Sequence, residues 1–213
     1  MLEKQLPYKY KIYEIIKEGI MEGQYLPGDV LNERKLSEEM GISRTPIREA
    51  IQLLNRDGWI VFETYKGAVI REFDRKYIEE VMKIRKALEM LAVDDVCGNV
   101  SPKELEELEE ILQAQRDLLD SYDAIEFIRL DRDFHRKLYE LSQNETLMDL
   151  LSNFNDIIRY FGMKAIKREV RKTTTVQEHE AVLNALKKGD AAEAVEAMRV
   201  HMEETSENIR QHM

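Results

Sequence analysis

The sequence predicts a mainly α protein: a winged helix-turn-helix of three helices and a small β-hairpin wing over residues 1–74, then an all-α antiparallel helical bundle over 75–213. Two short amphipathic stretches joined by a glycine turn, with β-prone runs after them, predict the first part. From Asp74 onward the apolar positions recur only at helical spacing, which predicts the second.

In order, Tyr8 to Glu22 places Ile12, Ile15, Ile16 and Ile20 on one side and meets Gly23 as a stop, so a first helix is expected to pack behind the helix-turn-helix. The LPGD run at Leu26–Asp29 turns the chain, and Val30–Leu31 reads as a short strand. Asn32 is placed to cap a second helix, with Leu36 and Met40 on one side and Gly41 as a left-handed stop. Ser43 is expected to cap a third, with Pro46 in its first turn and Ile47, Ala50, Ile51 and Leu54 as the buried stripe; Gly58 ends it. Trp59–Phe62 and Ala68–Arg71 flank a polar loop containing Gly67, which predicts the hairpin.

The opposite face of the third helix carries the function. Arg44 and Arg48 lie one turn apart, Thr45 stands beside them at the helix start, and Gln52 continues the row. Arginine donates bidentately to guanine O6 and N7, threonine reaches a phosphate or a thymine methyl, and a helix N-terminus attracts phosphate. The blander alternative is a solvated charged face. Charge distribution bears on the choice: residues 1–75 hold 12 Lys and Arg against 13 Asp and Glu, a net of −1, which leaves −9 of the total of −10 to the remainder. An acidic chain that binds DNA must gather its cations locally, as Arg34, Lys35, Arg44, Arg48 and Lys66 are placed to do.

The stretch LPGDVLNERKLSEEMGISRTPIREAIQLLNRDGWI, together with the downstream YKGAVI, resembles the winged helix-turn-helix of the GntR family of bacterial transcription regulators. By that resemblance Arg34, Ser43, Arg44, Thr45 and Arg48 contact DNA, with Lys66 and Gly67 at the wing tip. Asn32 replaces the usual Ser and keeps the capping function.

Beyond the boundary near residues 72–76, Asp74 is placed to cap a helix running to about Cys97, with Ile78, Val81, Leu88, Leu91 and Ala92 inward. Ser101-Pro-Lys-Glu104 forms a capping box that opens an acidic helix to about Leu119. Further helices are expected near 123–142, 145–163, 175–188 and 190–211. Thr175 to Glu178 reads as a second capping box, and Gly189-Asp190 as a stop and then a cap.

The chain has four histidines, and three of them border apolar stripes: His135, His179 and His201. Asp131 lies one turn before His135 and shares its face. Three imidazoles and a carboxylate suit Zn²⁺, with Ni²⁺ or Mn²⁺ possible; the alternative for each histidine is a hydrogen-bonded place in the core. Arg85 lies on the inner side of its helix, where a guanidinium needs an anion. An internal carboxylate and the carboxylate of a small metabolite both answer. Asn155, between Leu151 and Ile158, is a further candidate for lining a pocket.

Arg85-x-x-Leu-Glu89, Asp131-x-x-Phe-His135, Glu178-His179, the Lys187–Ala194 run and Ala197-Met-x-x-His201 resemble the all-helical FCD effector domain of the FadR-like branch of GntR regulators. The resemblance implies Asp131, His135, His179 and His201 as ligands of a divalent metal, and leaves His212 on the surface. The expectation is then a homodimeric regulator that binds double-stranded operator DNA, under control of a small carboxylate effector held at the metal, Arg85 and Asn155. The sign of regulation is open. Two alternatives are a metal-dependent hydrolase with an accessory DNA-binding-like domain, and an architectural DNA binder indifferent to sequence. No H-E-x-x-H motif supports the first. A lone Cys97 excludes an intrachain disulfide, and no uncharged apolar run approaches about 18 residues, so a cytoplasmic protein without a membrane span is expected.

Overall fold

The computed structural model describes residues 7–120, 123–151, 154 and 171–211. The chain divides into two compact units, Met1–Asp74 and Arg75–Met213.

In the first unit, α1 (Tyr8–Met21) and α2 (Glu33–Met40) pack against α3 (Arg44–Arg56), and β1 (Ile60–Glu63) and β2 (Gly67–Ile70) form an antiparallel hairpin after them. Its register pairs Ile60 with Ile70 and Glu63 with Gly67. Val30 adds a single bridge to Val69, so the short strand expected at Val30–Leu31 reduces to one pair. The core is Ile12, Ile16, Ile20, Ile47, Ile51, Leu54, Trp59 and Ile60, all essentially inaccessible. Ile15, expected inside, is 56% exposed; Tyr13 fills the stripe beside Ile12 instead.

Local chemistry fixes the turn between α2 and α3. The Asn32 side chain accepts the N–H groups of Arg34 and Lys35, and Gly41 closes α2 at φ 64°, where a Cβ would be strained. Ser43 occupies the start of α3 but makes no capping bond. A cap accepts from the second or third helical N–H, and the third residue here is Pro46, which has none. The residue expected to cap lies on the surface.

The second unit comprises α4 (Arg75–Val96), α5 (Pro102–Asp117), α6 (Ala124–Leu141), α7 (Lys172–Lys188) and α8 (Ala191–Gln211), with a helical stretch at residues 145–151. These five helices close a ring: α4 packs on α8, α8 on α7, α7 on α5, α5 on α6, and α6 on α4. The capping box at Ser101 and Glu104 forms as expected, and Gly189 ends α7 in the left-handed conformation with Asp190 capping α8.

Two expectations fail for one reason, that polar residues occupy inward positions. The inner stripe of α4 runs through Arg85 and Glu89 rather than Leu88 and Leu91, so Leu91 is 43% exposed. Helix α7 begins at Lys172, a turn before the expected capping box; Thr175 is buried within it and Glu178 turns inward. Among the described residues no helix is long and apolar enough to cross a membrane.

Candidate metal centre and nucleic-acid face

Each helix of the ring contributes a polar group to its middle. Helix α6 supplies Asp131 and His135 from one face, α7 supplies His179, and α8 supplies His201; one ligand atom from each of these four lies within 4.8 Å of the others. The three imidazoles are essentially fully buried, and Asp131 is partly exposed. Phe134 stacks on the His179 ring at 4.1 Å, an apolar lid against one face.

Behind each imidazole stands one acceptor. His135 Nδ1 meets Glu89 Oε2 of α4 at 2.9 Å, His179 Nδ1 meets Gln115 Oε1 of α5 at 2.9 Å, and His201 Nδ1 meets Glu178 Oε2 of α7 at 2.8 Å. An acceptor on Nδ1 places the proton there and leaves Nε2 as a lone pair, the arrangement that prepares a histidine for a metal. The acceptors are themselves held. Arg85 and Tyr139 donate to Glu89 Oε1, while Arg171 grips Glu178 and reaches Thr205 Oγ1.

The electrostatics agree. Burial acts to raise the Glu89 carboxyl, but neighbouring His135 and Arg85, with the hydrogen bonds from His135 and Tyr139, overcome it and hold it down to about 2. Burial, joined by the neighbouring positive charges, pushes His179 well below the usual imidazole range, and burial also lowers His201 against the pull of Glu178. Both rings are therefore neutral donors near neutral pH.

Two contacts are spaced to admit a cation between the ligand atoms. His135 Nε2 and His201 Nε2 face each other at 3.1 Å. His179 Nε2 is buried without a hydrogen-bond partner and lies 3.6 Å from Asp131 Oδ1, too far for a good hydrogen bond. A buried nitrogen left unpaired costs about 1–3 kcal/mol. Three imidazole nitrogens and a carboxylate converging in this way fit a borderline divalent ion such as Zn²⁺.

The structure thus brings together the four residues singled out from sequence and sets Arg85 beside them, paired internally with Glu89 at 3.0 Å. Asn155 and His212 lie outside the described residues. Sequence reasoning did not assign orienting roles to Glu89, Gln115, Glu178, Tyr139 and Arg171. The signal was present for Gln115, an amide on the stripe of Leu108 and Leu112.

In the first unit Arg34, Ser43, Arg44, Thr45, Arg48, Lys66 and Gly67 are all exposed. The cations do not stand clear, as the sequence suggested. Arg34 pairs with Glu38, Lys35 with Glu39, Arg48 with Glu33 and Lys66 with Glu63, and among the described residues Arg44 makes no ion pair. The links of Arg34, Lys35 and Lys66 join residues three or four apart at the surface, where pairs contribute about 0–1 kcal/mol, while Arg48 and Glu33 join two helices through three hydrogen bonds.

Comparison with known proteins adds independent findings. Residues 9–70 match the bacterial regulatory proteins of the gntR family, and residues 80–204 match the FCD domain. The chain is 32% identical to the HTH-type transcriptional regulator YdhC of Bacillus subtilis over 98% of this chain and 94% of that protein. It is 26% identical to the HTH-type transcriptional repressor RspR of Escherichia coli, over 96% and 90% respectively. Among solved structures, Escherichia coli McbR/YncC superposes with a TM-score of 0.78 at 21% identity, covering 97% of this chain and 99% of that one, which supports the fold.

Proposed function

We propose that this chain, which belongs to the GntR family of bacterial regulatory proteins and is a DNA-binding transcription regulator with an FCD domain, couples its hold on operator DNA to a divalent metal and a small carboxylate in the helical ring. Its named relatives are regulators and a repressor rather than enzymes, and this chain is likewise no enzyme. The hydrolase alternative is set aside on that ground.

The observation that carries the proposal is the inward convergence of three anchored imidazoles and Asp131. Asp131, His135, His179 and His201 would hold the ion, most readily Zn²⁺. When bound, it supplies a Lewis-acid site for one oxygen of a carboxylate. Glu89, Gln115 and Glu178 fix the direction of the rings, and Phe134 shields His179. Of the charged side chains around the centre, Arg85 and Arg171 oppose Glu89, Asp131 and Glu178, a net of −1; a divalent ion turns that to +1, which favours a monoanion. Arg85 contributes to that potential while it holds Glu89, and Asn155 is the further residue proposed to line the effector pocket.

Because every helix of the ring sends a group to the centre, a ligand that draws on those groups biases the packing of all five. Couplings of this kind are worth ~1–3 kcal/mol. At the DNA, Arg34, Ser43, Arg44, Thr45, Arg48, Lys66 and Gly67 form the reading surface. A homodimer is the working unit, since two reading heads on half-sites multiply discrimination; its place is the cytoplasm, where the operator is. The test is an operator titration with chelator-stripped protein, with zinc, and with zinc plus a panel of small carboxylates. One carboxylate is expected to change operator affinity, and only when zinc is present. Equal affinity under all conditions would oppose the proposal.

A further inference from the structure

Glu33 sits in the first turn of α2, beside the reading face of α3, where a negative charge opposes binding to a polyanion. Its carboxylate accepts three hydrogen bonds from Arg48 of α3: Nε to Oε1 at 3.0 Å, Nε to Oε2 at 3.2 Å and Nη2 to Oε2 at 2.8 Å. The pair spans two helices, unlike the links of Arg34, Lys35 and Lys66, which join residues three or four apart. Its geometry is specific. Glu33 engages the Nε side of the guanidinium and, among the described residues, Nη1 makes no hydrogen bond, so the end-on edge of Nη1 and Nη2 points away from the carboxylate. That edge matches guanine O6 and N7. Asn32 anchors the base of α2 through Arg34 and Lys35, so the carboxylate is presented from a capped helix end.

We infer that Glu33 is a positioning residue for operator recognition, holding Arg48 so that it reads a base edge instead of wandering to the phosphates. The inference rests on the assignment of Arg48 to the operator. The chemistry has two consequences. The negative charge weakens binding to every duplex, while the rigid fork raises discrimination among duplexes. An arginine released from Glu33 gains a phosphate contact and loses its fixed aim.

The full-length protein is used to select an operator from random-sequence duplexes. Wild type, Glu33→Gln, Glu33→Asp, Arg48→Ala and the double variant Glu33→Gln/Arg48→Ala are then titrated with that operator and with a random duplex of equal length, at several salt concentrations. Glu33 lies at the surface, and far-ultraviolet circular dichroism verifies that each variant is folded. For Glu33→Gln the expected result is tighter binding to random DNA, a smaller ratio of operator to random affinity, and a salt slope steeper by about 0.9, as for one added phosphate contact. Glu33→Asp keeps the charge and shortens the reach, so the ratio falls without a gain on random DNA. In the Arg48→Ala background, Glu33→Gln leaves the ratio unchanged. A ratio unaltered in Glu33→Gln, or one that falls equally with and without Arg48, overturns the inference. Operator affinity unchanged in Arg48→Ala instead overturns the assignment beneath it.

Discussion

His135 and His201, from different helices and 66 residues apart, meet Nε2 to Nε2 at 3.1 Å while Glu89 and Glu178 hold their opposite nitrogens. Such a pair shares either one proton or one cation, and the nearby His179 Nε2, buried without a hydrogen-bond partner, is satisfied only by the second. On the proposed reading, bound metal should therefore stabilise the fold. Zinc at a hundredfold excess over its dissociation constant is expected to add about 2.7 kcal/mol to the unfolding free energy, seen as a rise in melting temperature. His201→Ala should abolish the rise, and an equal zinc-induced shift in that variant would count against the centre.

The anchoring residues should matter nearly as much as the ligands. Gln115→Leu removes the acceptor behind His179, and Glu178→Gln replaces the carboxylate behind His201 with an amide. Each is expected to weaken zinc by roughly 10–100-fold, as such changes do elsewhere. Competition against a chromophoric chelator measures this, and undiminished affinity in both variants would refute the orienting roles.

Of the arginines proposed to read the operator, Arg44 makes no ion pair among the described residues, so it would meet DNA without first breaking a link. Arg44→Ala should cost about 1–3 kcal/mol at the operator and relax specificity at one base position. Lys66→Ala should weaken operator and random duplexes alike. Fluorescence anisotropy distinguishes the two patterns; a uniform loss from Arg44→Ala would reassign it to phosphate.

The ring depends on apolar packing around the polar middle. Leu112 is fully buried on α5, on the stripe that carries Gln115. Leu112→Ala should lower stability by about 2–5 kcal/mol through lost burial and the cavity left behind. Urea denaturation checks this, and a loss below about 1 kcal/mol would mean that the stripe collapses to refill the space.

The fold class and the helix-turn-helix were legible in the sequence, because caps, glycine stops and apolar spacing are local signals. Spacing left each histidine a place in the core as an alternative, and the set of Asp131, His135, His179 and His201 was implied by the resemblance to the FCD domain. Ser101 with Glu104, Asn32 with Gly41, and the stripe of α3 behaved as their spacing required. Elsewhere tertiary chemistry overruled a local rule. Leu91 is exposed because Arg85 and Glu89 take the inner positions of α4. Thr175 does not cap because α7 begins at Lys172 and places it inside the helix. Ser43 makes no capping bond, and Pro46 removes one of the two N–H groups that a cap accepts. The acceptors behind the imidazoles stayed hidden for the same reason: that Gln115 meets His179 across 64 residues is a property of the ring, not of either helix.

Whether Asp131, His135, His179 and His201 hold one divalent ion is the claim on which the rest stands. Isothermal titration of zinc into chelator-stripped full-length protein, beside a variant with all three histidines replaced by alanine, tests it most directly. Saturable binding of one ion per chain is expected in the wild type and none in the variant. Absence of saturable binding in the wild type, or its survival in the variant, would contradict the claim.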